Sequence, residues 1–139
     1  MARRSTDLLA RVPLFQGLSK RHLKAVAGIA SEEHFDEKAS IAKEGERGDE
    51  FYVIVAGQAK VVRRGRTVAS LMPGDFFGEI ALLDGGPRTA SVIAETPLDV
   101  MVLSRKPFHA VLERDPPVVL KMLEELAARL RNVERSLTG

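Results

Sequence analysis

Between residues 40 and 103 the chain is a succession of short segments that are rich in β-branched residues or alternate in polarity. They are separated by turn signals such as Arg64-Gly65 and Pro73-Gly74-Asp75, which end one segment and begin the next. The segments are 40–43, 51–55, 59–63, 67–71, 89–94 and 98–103. Many short strands at this spacing predict a β-barrel or jelly roll and argue against a parallel α/β sheet.

Both ends of the chain change to a helical period. Near the N-terminus the apolar residues Leu23, Val26, Ala27 and Ala30 recur three or four positions apart. A longer apolar stripe at the same spacing occupies the C-terminal end, and its members are Val119, Met122, Leu126, Leu130, Val133 and Leu137. The predicted fold is therefore α+β, mainly β: a barrel of about eight short strands, with N-terminal helices before it and a C-terminal helix pair after it.

We expect one domain over residues 1–139. Its parts are an N-terminal helical segment (1–31), the barrel (32–104) and the C-terminal helices (105–139). The chain has 45% hydrophobic and 29% charged residues, no cysteine and no apolar run of about 18 residues, which predicts a cytoplasmic domain without membrane insertion. A net charge of +2, with the basic residues scattered, gives no argument for nucleic-acid binding.

Neither catalysis nor metal binding is predicted. His22, His34 and His109 lie far apart and show no metal-ligand spacing, and no glycine-flanked nucleophile is present. The absence of cysteine excludes disulfides and thiolate ligands, and haem lacks an obvious histidine pair. We therefore expect a non-enzymatic chain without a resident cofactor.

One stretch, FFGEIALLDGGPRTASV over residues 76–92, does not read as a strand connection. Residues 79–83 favour a helical turn whose first amides lack helical partners and can bind an anion, and Gly78 permits close backbone approach. Arg88 offers a charged fork suited to phosphate, whereas Glu79 repels phosphate and can instead accept a hydrogen bond from a hydroxyl. A phosphate, a sugar hydroxyl and an apolar wall for a base together describe a nucleotide.

These residues resemble the phosphate-binding cassette of the cyclic nucleotide-binding domain family. That family includes catabolite activator proteins, regulatory subunits of cyclic-AMP-dependent kinase and cyclic-nucleotide-gated channels. Its pattern is matched by Phe77-Gly78-Glu79, Ile80-Ala81-Leu82 and Arg88-Thr89-Ala90. The resemblance extends upstream to Gly45-Glu46 and Pro73-Gly74-Asp75, and in family order it covers about residues 9–137.

The resemblance implies a role for each cassette residue, with residues 77–92 forming the cassette. Glu79 would bind the ribose 2′-hydroxyl, Arg88 the cyclic phosphate, and the amides of Gly78, Ala81 and Ala90 would add contacts. Thr89 stands where relatives carry a hydroxyl beside the phosphate, and a threonine there also suits the guanine amino group. The ligand-binding residues expected from the resemblance are Phe77, Gly78, Glu79, Ile80, Ala81, Arg88, Thr89 and Ala90. The ligand would be cyclic AMP or cyclic GMP, with cyclic AMP favoured.

Three alternatives stay open for the C-terminal stripe: core packing, a lid over the base, or the interface of a homodimer. The resemblance favours a lid, formed by one or more of Leu126, Arg129, Leu130 and Arg131. Binding would be relayed through movement of the C-terminal helices to an effector protein or domain that the sequence does not identify.

The predicted function is a non-catalytic cyclic-nucleotide sensor. Because the sequence ends shortly after the long C-terminal helix, we expect no direct nucleic-acid binding by this chain. Two alternatives remain open. The chain is the ligand-binding part of a larger transcription regulator, channel or kinase, or it is an interaction module that has lost its ligand.

Overall fold

A computed structural model describes the backbone of residues 2–138 and the side chains of residues 5–137. The chain forms two compact units. The barrel unit is Ile29–Phe108, and the helical unit combines the part of the chain up to Gly28 with the part from His109 onward. Within residues 2–138, no helix is both long enough and apolar enough to cross a lipid bilayer.

The barrel unit contains eight antiparallel strands in two four-stranded sheets. The sheet order is β1-β8-β3-β6 in one sheet and β2-β7-β4-β5 in the other. The strands are β1 Ser31–Phe35, β2 Ser40–Ala42, β3 Glu50–Ala56, β4 Ala59–Arg63, β5 Arg66–Leu71, β6 Phe76–Phe77, β7 Ser91–Ala94 and β8 Leu98–Ser104. This arrangement confirms the predicted jelly roll, because strands distant in sequence pair across each sheet.

Two of the eight strands carried no recognisable sequence signal. Strand β1, with the sequence SEEHF, lies at the edge of its sheet and is almost wholly exposed, so it needs no apolar face. Strand β6 has only two residues, which is too short for any period to appear. Strand β7 starts at Ser91, two residues later than expected, because Thr89 and Ala90 belong to the segment before the strand.

The two sheets enclose an apolar core. Its buried residues alternate along strands β3 and β8, for example Tyr52 and Ile54 on one strand and Val100 and Val102 on the other. Each such side chain contributes about 1.5–3 kcal/mol by leaving water. No polar or charged residue is fully buried among the residues whose side chains are described. The barrel therefore supplies a rigid wall behind the site.

The remaining elements are helices. They are α1 Ala2–Ala10, a 3-10 helix Pro13–Phe15, α2 Lys20–Gly28, α3 Glu79–Asp84 within the barrel unit, α4 Arg105–Glu113 and α5 Pro116–Thr138. Helix α2 is capped by Ser19, whose hydroxyl accepts a hydrogen bond from the amide of His22 at 3.3 Å.

Only part of the α5 stripe is core. Of its members, Met122 is 3% exposed and Val119 and Leu126 are half-buried, whereas Leu130, Val133 and Leu137 are 56–82% exposed. The core alternative for the stripe is therefore wrong for its second half. That half has apolar surface for which the described residues supply no cover.

Candidate functional site

The barrel unit contains a cavity of about 290 Å³ that is lined by residues of the neighbouring strands β2, β7 and β4 and by residues of the segment 76–90. Every residue expected to bind ligand lines this cavity: Phe77, Gly78, Glu79, Ile80, Ala81, Arg88, Thr89 and Ala90. Its volume is close to the lower end of the range for small-molecule sites, about 300–1,000 Å³. The fold thus brings an acid and an arginine nine residues apart to the wall of one small cavity.

Helix α3 is flanked by two glycines whose backbones adopt the left-handed helical conformation. Gly78 precedes it with φ 87° and Gly85 follows it with φ 64°. A side chain on Gly78 would place its Cβ 2.6 Å from the Glu50 carbonyl oxygen, so the position requires glycine for space as well as for conformation. Ala81 and Leu82 are buried, which anchors the short helix against the barrel and leaves Glu79 on the cavity side.

The backbone around Arg88 is held by the loop that precedes β3. The Arg88 amide donates to the Glu46 carbonyl at 2.8 Å, and the Gly45 amide donates to the Arg88 carbonyl at 2.9 Å. A third bond joins the Gly48 amide to the Gly86 carbonyl at 3.1 Å. The loop at 45–48 is therefore the partner that positions the arginine.

The Arg88 guanidinium uses only some of its hydrogen-bond donors within the protein. Nη2 donates to the Glu50 carbonyl at 2.9 Å, and Cζ lies 5.9 Å from the centre of the Tyr52 ring. Nη1 is buried and has no hydrogen-bond partner among the described residues. A buried donor left unpaired costs about 1–3 kcal/mol, so this atom fits an acceptor supplied by a ligand.

Gly48 makes room for this arrangement. A Cβ at that position would lie 2.1 Å from Arg88 Nε and 2.5 Å from Cζ. Any side chain there would displace the guanidinium. Gly48 is therefore a positioning residue for Arg88, a role that the sequence pattern did not indicate.

An aromatic pair supports the cavity wall. The rings of Tyr52 and Phe77 stack with centroids 4.7 Å apart and planes 18° apart. Burial, reinforced by the nearby charge of Glu50, raises the pKa of the Tyr52 hydroxyl above its usual value. Tyr52 therefore stays neutral, and its ring forms a stable base for Phe77, which lines the cavity.

The other cassette residues differ in exposure. Glu79 and Ala90 are half-buried and Ala81 is buried, whereas Thr89 is exposed and Ile80 is 67% exposed. All of them line the cavity. The exposed pair lies at its rim, where a ligand would meet them first.

Sequence reasoning missed an arginine at the same cavity. Arg63, the last residue of β4, lines the cavity, and its Nε donates to the Thr89 carbonyl at 3.1 Å. Val61, two residues earlier on the same strand face, also lines the cavity. The period-2 alternation from Val61 was the available signal, because it places residue 63 on the same face as the apolar wall.

The four residues expected to form a lid lie on α5 in the helical unit. Leu126 and Arg129 are half-buried, and Leu130 and Arg131 are exposed. The residues that line the cavity all belong to the barrel unit. The lid role of these four stays a prediction.

The helical unit brings a serine, a histidine and an acid together. The hydroxyl of Ser19 shares a hydrogen bond with His22 Nδ1 at 2.9 Å, and His22 Nε2 is hydrogen-bonded to the Asp115 carboxylate. Sequence spacing did not reveal this group, since Asp115 lies far along the chain. Ser19 also caps α2, and none of the three lines the cavity, so the geometry is that of a structural link between helices.

Among residues 2–138, no group of three or more histidine, aspartate or glutamate side chains could hold a metal ion.

Comparison with known proteins identifies similar chains. A family model described as "Cyclic nucleotide-binding domain" matches residues 32–115. The CRP-like cAMP-activated global transcriptional regulator of Mycobacterium tuberculosis is 32% identical over 94% of this chain and 61% of its own length. The cGMP-dependent protein kinase egl-4 of Caenorhabditis briggsae is 31% identical over 91% of this chain and 20% of its own. The chain thus spans between about a fifth and three fifths of these curated relatives.

A solved structure is also similar. The N-terminal domain of a transcriptional regulator from Streptomyces coelicolor A3(2) superposes with a TM-score of 0.86 at 31% identity, covering 94% of this chain and 95% of that one.

Proposed function

The chain belongs to the cyclic nucleotide-binding domain family, and we propose that it is a non-catalytic sensor that binds one cyclic nucleotide in the cavity of its barrel unit. The observation that carries the proposal is Arg88 Nη1, a buried cationic donor at the cavity wall without a partner among the described residues. A cyclic phosphate would supply the missing acceptor and the compensating charge.

The other contacts follow from the chemistry of the cavity wall. Glu79 accepts a hydrogen bond from the ribose 2′-hydroxyl, because a carboxylate next to a phosphate site is otherwise repulsive. The amides of Gly78, Ala81 and Ala90 and the hydroxyl of Thr89 donate to phosphate or ribose oxygens. The apolar residues Val61 on β4 and Val92 on the adjacent β7 contact the ring atoms of the ligand.

The favoured ligand is cyclic AMP, with cyclic GMP as the alternative. The mycobacterial relative is described as cAMP-activated and the nematode relative as cGMP-dependent. Thr89 offers a hydroxyl that is compatible with either base.

The first test is titration calorimetry of the nucleotide-free chain with cyclic AMP and with cyclic GMP. Arg88→Ala is expected to weaken binding by about 2–5 kcal/mol, the cost of removing a desolvated charge partner. Arg66→Ala is the matched control, because Arg66 is exposed and does not line the cavity. If Arg88→Ala bound as tightly as the wild type, the role assigned to Arg88 would be refuted.

Glu79 can be tested with a ligand that lacks its partner. The wild type is expected to bind 2′-deoxy cyclic AMP about tenfold more weakly than cyclic AMP, because one hydrogen bond to a charged group is lost. Glu79→Gln should bind the two ligands with more similar affinity. An unchanged preference in Glu79→Gln would contradict the ribose assignment.

We further propose that occupancy is relayed through the C-terminal helices, with lid residues among Leu126, Arg129, Leu130 and Arg131. Hydrogen exchange of α5 amides is expected to slow when cyclic AMP is added to the wild type and to stay constant in Arg88→Ala. Unchanged exchange in the saturated wild type would count against a relay through α5.

A homodimer through α5 is the second proposed role of the stripe. Leu123, Leu126, Leu130, Val133 and Leu137 are spaced alternately by three and four residues, the period of a two-stranded coiled coil. Light scattering should report a dimer for the wild type and a monomer for Val133→Glu. A monomeric wild type at high concentration would remove this role.

The wider context is also a proposal. The effector would be a further domain or a partner protein of a transcription regulator, channel or kinase, as the shares of the relatives' lengths suggest. An interaction module without ligand is the alternative, and it would be favoured if neither nucleotide produced heat or a thermal shift.

A further inference from the structure

The arginine at the end of β4 has an unusual position for an exposed cation. Arg63 lines the same cavity as Arg88 and Glu79. It does not belong to the segment 76–90, because it is the last residue of β4, just before the β4–β5 turn. Its Nε is engaged by the Thr89 carbonyl at 3.1 Å. That single bond fixes the guanidinium at the rim next to Thr89.

The rest of the guanidinium is unused by the protein. No hydrogen bond or ion pair joins Arg63 Nη1 or Nη2 to another described residue, and the residue is exposed. Guanidinium groups offer five donors and no acceptor, so four N–H groups remain available at the rim. Their natural partner is an anion.

The hairpin bears an electrostatic cost that the fold does not require. Arg63 and Arg66 stand directly opposite each other in the β4–β5 ladder, with Arg64 between them in the turn. Like charges opposite each other across a ladder are destabilising. An unfavourable pair of like charges beside a cavity is typical of a position kept for function rather than for stability.

We propose that Arg63 is a second cationic contact for the phosphate of the bound ligand, acting from the rim while Arg88 acts from the cavity wall. The inference rests on the proposed function, since it assumes an anionic cyclic nucleotide in this cavity. It adds that the phosphate is held between residues from two separate parts of the barrel unit. The purine is not read by this residue, so cyclic AMP and cyclic GMP are affected equally.

The test compares three variants by titration with cyclic AMP and cyclic GMP. Arg63→Gln is expected to lose about threefold to fivefold in affinity for both ligands at low salt, the range for a partly exposed charge pair. Arg63→Lys, which keeps the charge, should stay within about twofold of the wild type. Arg66→Gln is the matched control, because it removes the same charge from the opposite residue of the hairpin without touching the cavity.

Salt separates a charge contact from a structural role. The gap between wild type and Arg63→Gln should narrow when sodium chloride is raised from about 50 mM to about 500 mM, because screening weakens an exposed charge. A gap that persists at high salt, or an Arg63→Lys variant as weak as Arg63→Gln, would overturn the inference and leave Arg63 as a positioning residue for Thr89. Equal losses in Arg63→Gln and Arg66→Gln would overturn it as well, since only net charge would then matter.

The outcomes distinguish this inference from the proposed function. A wild type that binds neither nucleotide refutes the function itself. A wild type that binds, with Arg63→Gln equal to it and melting at the same temperature, refutes only the role of Arg63.

Discussion

The barrel unit and helix α5 use the same apolar residues in opposite ways. In the barrel, Leu98 and Ile54 are completely buried, and the core is closed by its own two sheets. On α5, Leu130 and Leu137 are 64% and 82% exposed. These exposed side chains add little to the stability of the described chain, because they remain in contact with water. The barrel buries its apolar residues in its own core, whereas the second half of α5 leaves them exposed.

The largest expected effect sharpens that contrast with a matched pair of substitutions. Leu98→Ala should lower the free energy of unfolding by about 2–5 kcal/mol, because it leaves a cavity in the barrel core. Leu137→Ala should change it by less than about 0.5 kcal/mol, because its side chain is already in water. Urea denaturation measures both, and similar losses in the two variants would erase the distinction.

Glycine substitutions test whether the site is as constrained as the core. Gly78→Ala should lower the free energy of unfolding by about 1–3 kcal/mol, because φ is positive and the new Cβ would meet the Glu50 carbonyl oxygen. Gly65→Ala is its control, since φ is also positive there but no atom lies within 4 Å. A smaller loss is expected for Gly65→Ala, from conformation alone. Equal losses in urea denaturation would show that space at Gly78 is unimportant.

The helical unit should be sensitive at a helix end. Ser19→Ala removes the cap of α2 and one hydrogen-bond partner of His22. It should lower the free energy of unfolding by about 1 kcal/mol. Ser19→Asp restores a capping oxygen and should recover most of that loss. Cyclic AMP affinity should stay unchanged in both variants, and a large loss of affinity would assign the serine to the site.

The smallest effect is expected at the surface of the barrel. A hydrogen bond that His34 Nδ1 donates to the Asp99 carboxylate, aided by the charges of Asp99 and Asp36, raises the pKa of His34 above its usual value of 6.5. Because the folded-state pKa is the higher one, the stabilisation is present below the unfolded value and is lost as pH rises through the folded value. The melting temperature of His34→Gln should fall slightly below that of the wild type at acidic pH and match it at alkaline pH. If the difference in melting temperature between the wild type and His34→Gln grew as the pH rose, the folded-state pKa of His34 would be lowered rather than raised.

The sequence was most informative where one residue type has one physical use. Gly78, Glu79 and Arg88 stand in an order that few structures other than a nucleotide site explain, and the family assignment follows from it. The barrel was predictable because most of its strands are short, β-branched or alternating segments separated by turn signals. Strands β1 and β6 were not, since an exposed edge strand and a two-residue strand carry no such pattern.

Contacts between residues far apart along the chain could not be predicted. Gly48 is forty residues from the guanidinium for which it leaves room, and the Glu50 carbonyl that holds Arg88 is a backbone group that any residue provides. Arg63 reaches Thr89 only because β4 and β7 are adjacent in the sheet. Ser19, His22 and Asp115 meet only because the fold of the helical unit brings residue 115 next to the start of α2.

The sequence by itself determined the fold class, the family and the residues of the cassette, because strand alternation and an ordered set of glycine, acid and arginine depend on neighbours a few positions away. Only the tertiary structure decided which nitrogen of the Arg88 guanidinium is left without a partner among the described residues, which glycine makes room for that group and which second arginine lines the same cavity. Those features depend on distances between residues that are far apart along the chain. The pairing of strands in the sheets sets these distances, and they cannot be predicted from residues that are neighbours in the sequence.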